Sequence, residues 1–72
     1  MIVFDKLWET MEEKGVSTYV LREKCLIDSK TVRRLKANQN VETKTLNKFC
    51  KILDCRIDDI MEYIPDEDEA QD

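Results

Sequence analysis

Ser29, Lys30, Arg33 and Arg34 put a hydroxyl, an ammonium and two guanidinium groups within six consecutive residues. None of them is an acid or a base poised near neutral pH, so the chemistry on offer is hydrogen-bond donation to anionic or carbonyl acceptors. Phosphate oxygens and the O6 and N7 of major-groove guanine are acceptors of that kind. If the stretch is helical, a rotation of about 100° per residue puts Val32 and Leu35 on one side and Lys30, Arg33, Arg34 and Ala37 on the other. A cationic face of this sort suits nucleic acid. It equally suits an ordinary solvated helix, and the helix alone leaves both readings open.

The residues that precede and surround this face decide how it is held. Val16 followed by Ser17 reads as a hydrophobic staple and N-cap, with Leu21 as the staple's partner. Ile27 and Asp28 repeat the signature, with Val32 as partner. The interval from Ser17 to Asp28 leaves room for about two helical turns and a tight corner. Residues 17–38 therefore read as a helix-turn-helix whose second helix carries the cations.

The net charge of −4 argues against an anionic partner until its distribution is considered. Residues 29–51 hold seven basic residues against Glu42 alone, a balance of +6, whereas the remainder holds five basic and fifteen acidic residues, a balance of −10. A merely solvated surface intersperses the signs. This segregation favours an anionic partner for the middle of the chain.

Seventy-two residues suffice for one small domain with a single core. A composition of 42% hydrophobic residues with one Gly and one Pro is that of a compact helical protein. No apolar run approaches the ~20 residues of a membrane span, and the initial MIVF is too short for a signal peptide. A cytoplasmic location is expected. Cys25, Cys50 and Cys55 form an odd set with no His to complete a zinc site, so reduced thiols are expected, Cys25 and Cys50 as small core residues. Catalysis is not expected, because there is no His, no Gly-rich phosphate loop and no base beside a nucleophile. No cofactor, metal or small-molecule ligand is implied.

Along the chain, Phe4, Leu7, Trp8 and Met11 predict a first helix over about Val3–Lys14, ended by Gly15. The second helix spans about Thr18–Lys24, and the third begins after Asp28. Leu46, Phe49, Cys50 and Leu53 predict a fourth helix behind Thr43 as its cap. Ile57, Ile60, Met61 and Ile64, behind Asp58, predict a short fifth helix over Arg56–Ile64. These four apolar residues exceed what one short helix needs for docking, so they are also candidates for a two-fold homodimer interface. From Pro65 the sequence PDEDEAQD has five acids and no apolar periodicity, which predicts an acidic disordered tail over 65–72 after a domain over 1–64.

With five short helices and a V-S-x-x-x-L…I-D-x-x-T-V-x-R-L pattern on Val16, Ser17, Leu21, Ile27, Asp28, Thr31, Val32, Arg34 and Leu35, the chain resembles the Cro/repressor-type, or XRE-like, helix-turn-helix family. The resemblance covers residues 3–64. It implies an all-α, five-helix lambda-repressor-like domain that binds double-stranded operator DNA, commonly as a homodimer, to regulate transcription as repressors do. By position it implies base contacts from Ser29, Lys30 and Arg34, with Arg33 between bases and backbone. It implies phosphate contacts from Thr18, Asn38, Asn40 and Lys44. Two residues depart from the pattern: Leu26 stands where the family's turn usually has Gly, and Arg22 where a small buried Ala is common. A competing reading keeps the scaffold and changes its partner, to a protein-interaction module of the antirepressor or antitoxin-like kind.

Overall fold

The two ends of the described chain meet. In this computed structural model, which describes residues 1–65, strand β1 (Ile2–Val3) pairs antiparallel with strand β2 (Glu62–Tyr63), Ile2 opposite Tyr63 and Val3 opposite Glu62. The Met1 ammonium donates to the Ile64 carbonyl, and the Ile64 N–H to the Met1 carbonyl, both at 2.8 Å. Between these strands lie α1 (Asp5–Lys14), α2 (Thr18–Glu23), α3 (Ser29–Lys36), α4 (Thr43–Leu53) and a 3₁₀ turn (Ile57–Asp59).

The helix-turn-helix forms as its caps predict. Ser17 Oγ accepts from the Val20 N–H at 3.2 Å and Asp28 Oδ1 from the Thr31 N–H at 2.8 Å, so each side chain satisfies one of the amides a helix start leaves unpaired. Leu26 takes φ 59°, the left-handed conformation that usually calls for Gly, and its side chain is 82% exposed. Gly15 takes φ 70° and closes α1.

The core is one cluster. Phe4, Leu7 and Met11 of the N-terminal segment meet Leu21 and Ile27, Val32 and Leu35 of α3, and Leu46, Phe49 and Leu53 of α4. The spacing of these residues is the helical periodicity read from the sequence. Trp8, Cys25, Cys50 and Cys55 pack half-buried at its edge, the three cysteines as free thiols. Burial and the neighbouring Cys50 raise the Cys55 pKa, which keeps that thiol protonated.

Two helical expectations are corrected. There are four α-helices rather than five: Arg56–Ile64 is a 3₁₀ turn followed by β2, not a fifth helix. Val3 likewise lies in β1, and α1 begins at Asp5. The cause is common to both. Ile2 and Val3 are β-branched and favour extended backbone, and pairing them with Glu62 and Tyr63 satisfies backbone groups that a fifth helix would have satisfied internally. Asp59 Oδ2 accepts from the Arg56 N–H at 3.1 Å, so Asp59 and not Asp58 caps the 3₁₀ turn; Asp58 instead pairs with Arg56 at the surface, 3.4 Å away. At α4 the N-cap residue is Glu42, with Thr43 already helical.

The fold has further consequences for the expected sites. Ile60 is 0% exposed and belongs to the core, so it is not an interface residue. Met61 is half-buried against the same cluster, while Ile57 and Ile64 are 47% and 42% exposed. The expected acidic tail falls on residues 66–72, outside the described residues, apart from Pro65. No helix among the described residues is long and apolar enough to cross a membrane.

Candidate nucleic-acid interface

Helix α3 presents two distinct faces beyond its buried stripe. Val32 and Leu35 are 6% and 0% exposed and anchor it. Lys30, Arg33 and Arg34 are all exposed on the opposite side, as the rotation of about 100° per residue requires. No acid lies within α3, whose sequence is SKTVRRLK. The Asp28 carboxylate before it is held below its ordinary pKa, first by the Thr31 N–H and then by the Thr31 hydroxyl. That carboxylate is engaged in capping. Its charge therefore sits at the helix start, where the dipole favours it, and not on the outward ridge.

Ser29 stands at the N-terminus of α3, turned toward α2. With Thr18 and Arg22 of α2 and with Val32, Arg33 and Lys36, it lines a concavity of about 270 Å³. The structure thus brings Thr18, Ser29 and Arg33 together, while Lys30 and Arg34 form a separate outward ridge. Arg22, the departure from the family pattern, is exposed at the surface between the helices and not packed beneath α3. Sequence reading placed neither Arg22 nor Lys36 in the site. Helical rotation from Ser29 and Arg33 would have found Lys36, whereas Arg22 is brought there only by the angle between the two helices.

The remaining expected phosphate contacts are dispersed. Lys44, exposed in the first turn of α4, lines a concavity of about 260 Å³ with Leu26, Asp28, Thr31 and Lys48 on the other flank of α3. Asn40 is exposed in the loop after α3 and borders a third concavity, of about 390 Å³, beside Phe4 and Val41. Asn38 has a structural duty that sequence reading did not anticipate. It takes φ 55° just beyond α3, and its Oδ1 accepts from the Phe4 N–H at 2.8 Å. That bond ties the end of α3 to the start of α1.

The arrangement is a cationic helix anchored by its buried side and offering donors outward. It matches what a major groove admits and what its base edges and phosphates accept. The family model for the Cro/C1-type helix-turn-helix DNA-binding domain matches residues 6–66. The crystal structure of the transcriptional regulator VanUg, Form II, is similar to this chain with a TM-score of 0.81 and 29% sequence identity, over 90% of this chain and 87% of that one. No curated protein matches the chain.

Proposed function

The chain belongs to the Cro/C1-type helix-turn-helix DNA-binding family, and from that premise we propose that it is a sequence-specific transcriptional regulator that lays α3 in the major groove of an operator. The observation that carries this reading is the exposed cationic side of α3, where Lys30 and Arg34 form the outward ridge and Arg33 stands at its edge toward α2, on a helix that contains no acid. Lys30 and Arg34 read base edges, Arg34 through the paired donors that match guanine O6 and N7. Ser29 and Arg33 sit where the base edges give way to the backbone. Thr18 and Lys44, on opposite flanks of α3, hold phosphates and set its register.

The regulator acts as a repressor by occupying its site, a role consistent with the similarity to a transcriptional regulator. Two copies meet through the exposed Ile57 and Ile64 with the half-buried Met61 between them. A two-fold pair whose α3 helices enter successive major grooves would bind a palindromic operator with half-sites about one DNA turn apart.

The test is selection of bound duplexes from a randomised pool near physiological salt, followed by titration of the winner at several salt concentrations. A palindromic motif whose affinity falls steeply with salt is expected. The absence of any motif, with negligible binding even at low salt, overturns the reading. Replacing Lys30, Arg33 and Arg34 together by Ala should abolish DNA binding. If a protein complex of the chain were lost instead and DNA binding kept, the ridge would serve a protein partner.

A further inference from the structure

The concavity between α2 and α3 is a second cationic feature, separate from the Lys30–Arg34 ridge. Its lining residues are Thr18, Arg22, Ser29, Val32, Arg33 and Lys36. Val32, 6% exposed, forms the apolar floor, and Arg22, Arg33 and Lys36 are exposed around it. Three positive charges thus gather about one small depression beside two hydroxyls, and none of the lining residues is acidic. Among the described residues none of the three cations is in an ion pair; the pair that involves an arginine there, Arg56 with Asp58, lies elsewhere. Gathered like charges repel one another, and a bound anion relieves that repulsion. The guanidinium forks of Arg22 and Arg33 suit two oxygens of one phosphate, while Lys36 offers a point charge.

Position narrows the anion further. Ser29 and Arg33 belong both to this depression and to the edge of the face assigned to the groove, so an anion here lies directly beside a duplex seated on α3. A phosphodiester of the DNA backbone is the anion that such seating delivers. We propose that Arg22 and Lys36, with Arg33, form a clamp for a backbone phosphate at the margin of the major groove. The clamp rests on the DNA-binding reading and adds to it two residues that grip DNA without reading its sequence. It also accounts for Arg22, whose long side chain replaces the small residue common at that position and reaches the surface.

The experiment measures binding of the full chain to its selected duplex and to a scrambled duplex of equal length, between about 50 and 200 mM salt. Arg22→Ala and Lys36→Ala are each expected to lose roughly tenfold in affinity on both duplexes. Their ratio of specific to scrambled binding should stay unchanged, and the salt slope should fall by about one per residue. Lys6→Ala removes one positive charge from α1, beside Glu9, Glu13 and Asp58, and is expected to change neither affinity nor slope. Arg22→Gln keeps the aliphatic stem and should lose as much as Arg22→Ala, which guards against loosening of α2. Melting temperatures check that each variant is folded.

Wild-type affinity and slope in Arg22→Ala and Lys36→Ala, with specific binding still lost in Arg34→Ala, would overturn the clamp and leave the DNA-binding reading intact. An equal loss in Lys6→Ala would assign the effect to overall charge and overturn it too. A narrowed ratio of specific to scrambled binding in Arg22→Ala would make Arg22 a base reader and not part of a phosphate clamp. Failure of the wild-type chain to bind either duplex would remove both proposals.

Discussion

Ser17 and Asp28 each accept a hydrogen bond from an amide three residues further on, whereas Met1, Asn38 and Thr10 bond to partners 63, 34 and 49 residues away. The first pair builds the helix-turn-helix; the second set closes the chain around it. The helix-turn-helix is therefore specified by short-range chemistry that would operate in many contexts. The closure exists only when the ends have found each other. Thr10 shows the contrast within one helix: its hydroxyl, buried among core residues, donates to the Asp59 carbonyl at 2.7 Å and fastens α1 to the 3₁₀ turn. A locally capped helix pair is thus held by a scaffold whose last links are long-range.

The largest effect expected from disturbing this contrast lies in the closure. Ile60→Ala should cost about 2–5 kcal/mol in urea unfolding, since Ile60 is wholly buried. Tyr63→Ala, three residues on but 61% exposed, should stay within about 0.5 kcal/mol. Equal effects would mean that the end of the chain is not seated as described. Next comes Asn38→Gly, which tolerates the positive φ and removes the side chain whose Oδ1 accepts from the Phe4 N–H. A loss of about 1–3 kcal/mol is expected, with faster hydrogen exchange at Phe4. An unchanged exchange rate would show that the amide has another partner.

In the helix-turn-helix the effects should be smaller and local. Asp28→Ala should lower the melting temperature at pH 7, because the α3 cap is lost. Asp28 has a folded pKa below its ordinary 3.8, so its contribution is present above that value and lost as pH falls through the folded pKa. The difference in melting temperature between wild type and Asp28→Ala should therefore shrink in strong acid, and a difference independent of pH would rule out the carboxylate as the cap. Leu26→Gly should have the smallest effect, a rise in melting temperature or almost none, worth up to about 1 kcal/mol, by relieving the left-handed strain at φ 59°. A clear loss of stability would mean that the exposed Leu26 side chain supports the turn.

The legibility of the molecule follows the same division. The α2 and α3 caps, the buried stripe of α3 and the opposite cationic ridge are all readable, because each depends on residues within one or two turns of one another; the left-handed turn at Leu26 is not, since Leu itself carries no signal for positive φ. Ile57, Ile60, Met61 and Ile64 have helical spacing, yet spacing cannot show that Ile2 and Val3 lie alongside, and the segment forms a 3₁₀ turn and a strand and not a fifth helix. The same blindness made Ile60 look available for a partner when it fills the core. The bond from the Phe4 amide to Asn38 Oδ1 is likewise invisible in the sequence, since nothing local reveals that the two residues lie together.

Sequence alone determined that a capped pair of helices would form and which side of the second would carry donors, because helical rotation and capping are short-range and nearly independent of context. Tertiary structure alone decided that the ends pair as strands, that Ile60 is core, and that Arg22 of α2 stands beside Arg33 and Lys36 of α3. Each of those outcomes depends on how separate segments are placed in space, and that placement is set by burying the common core.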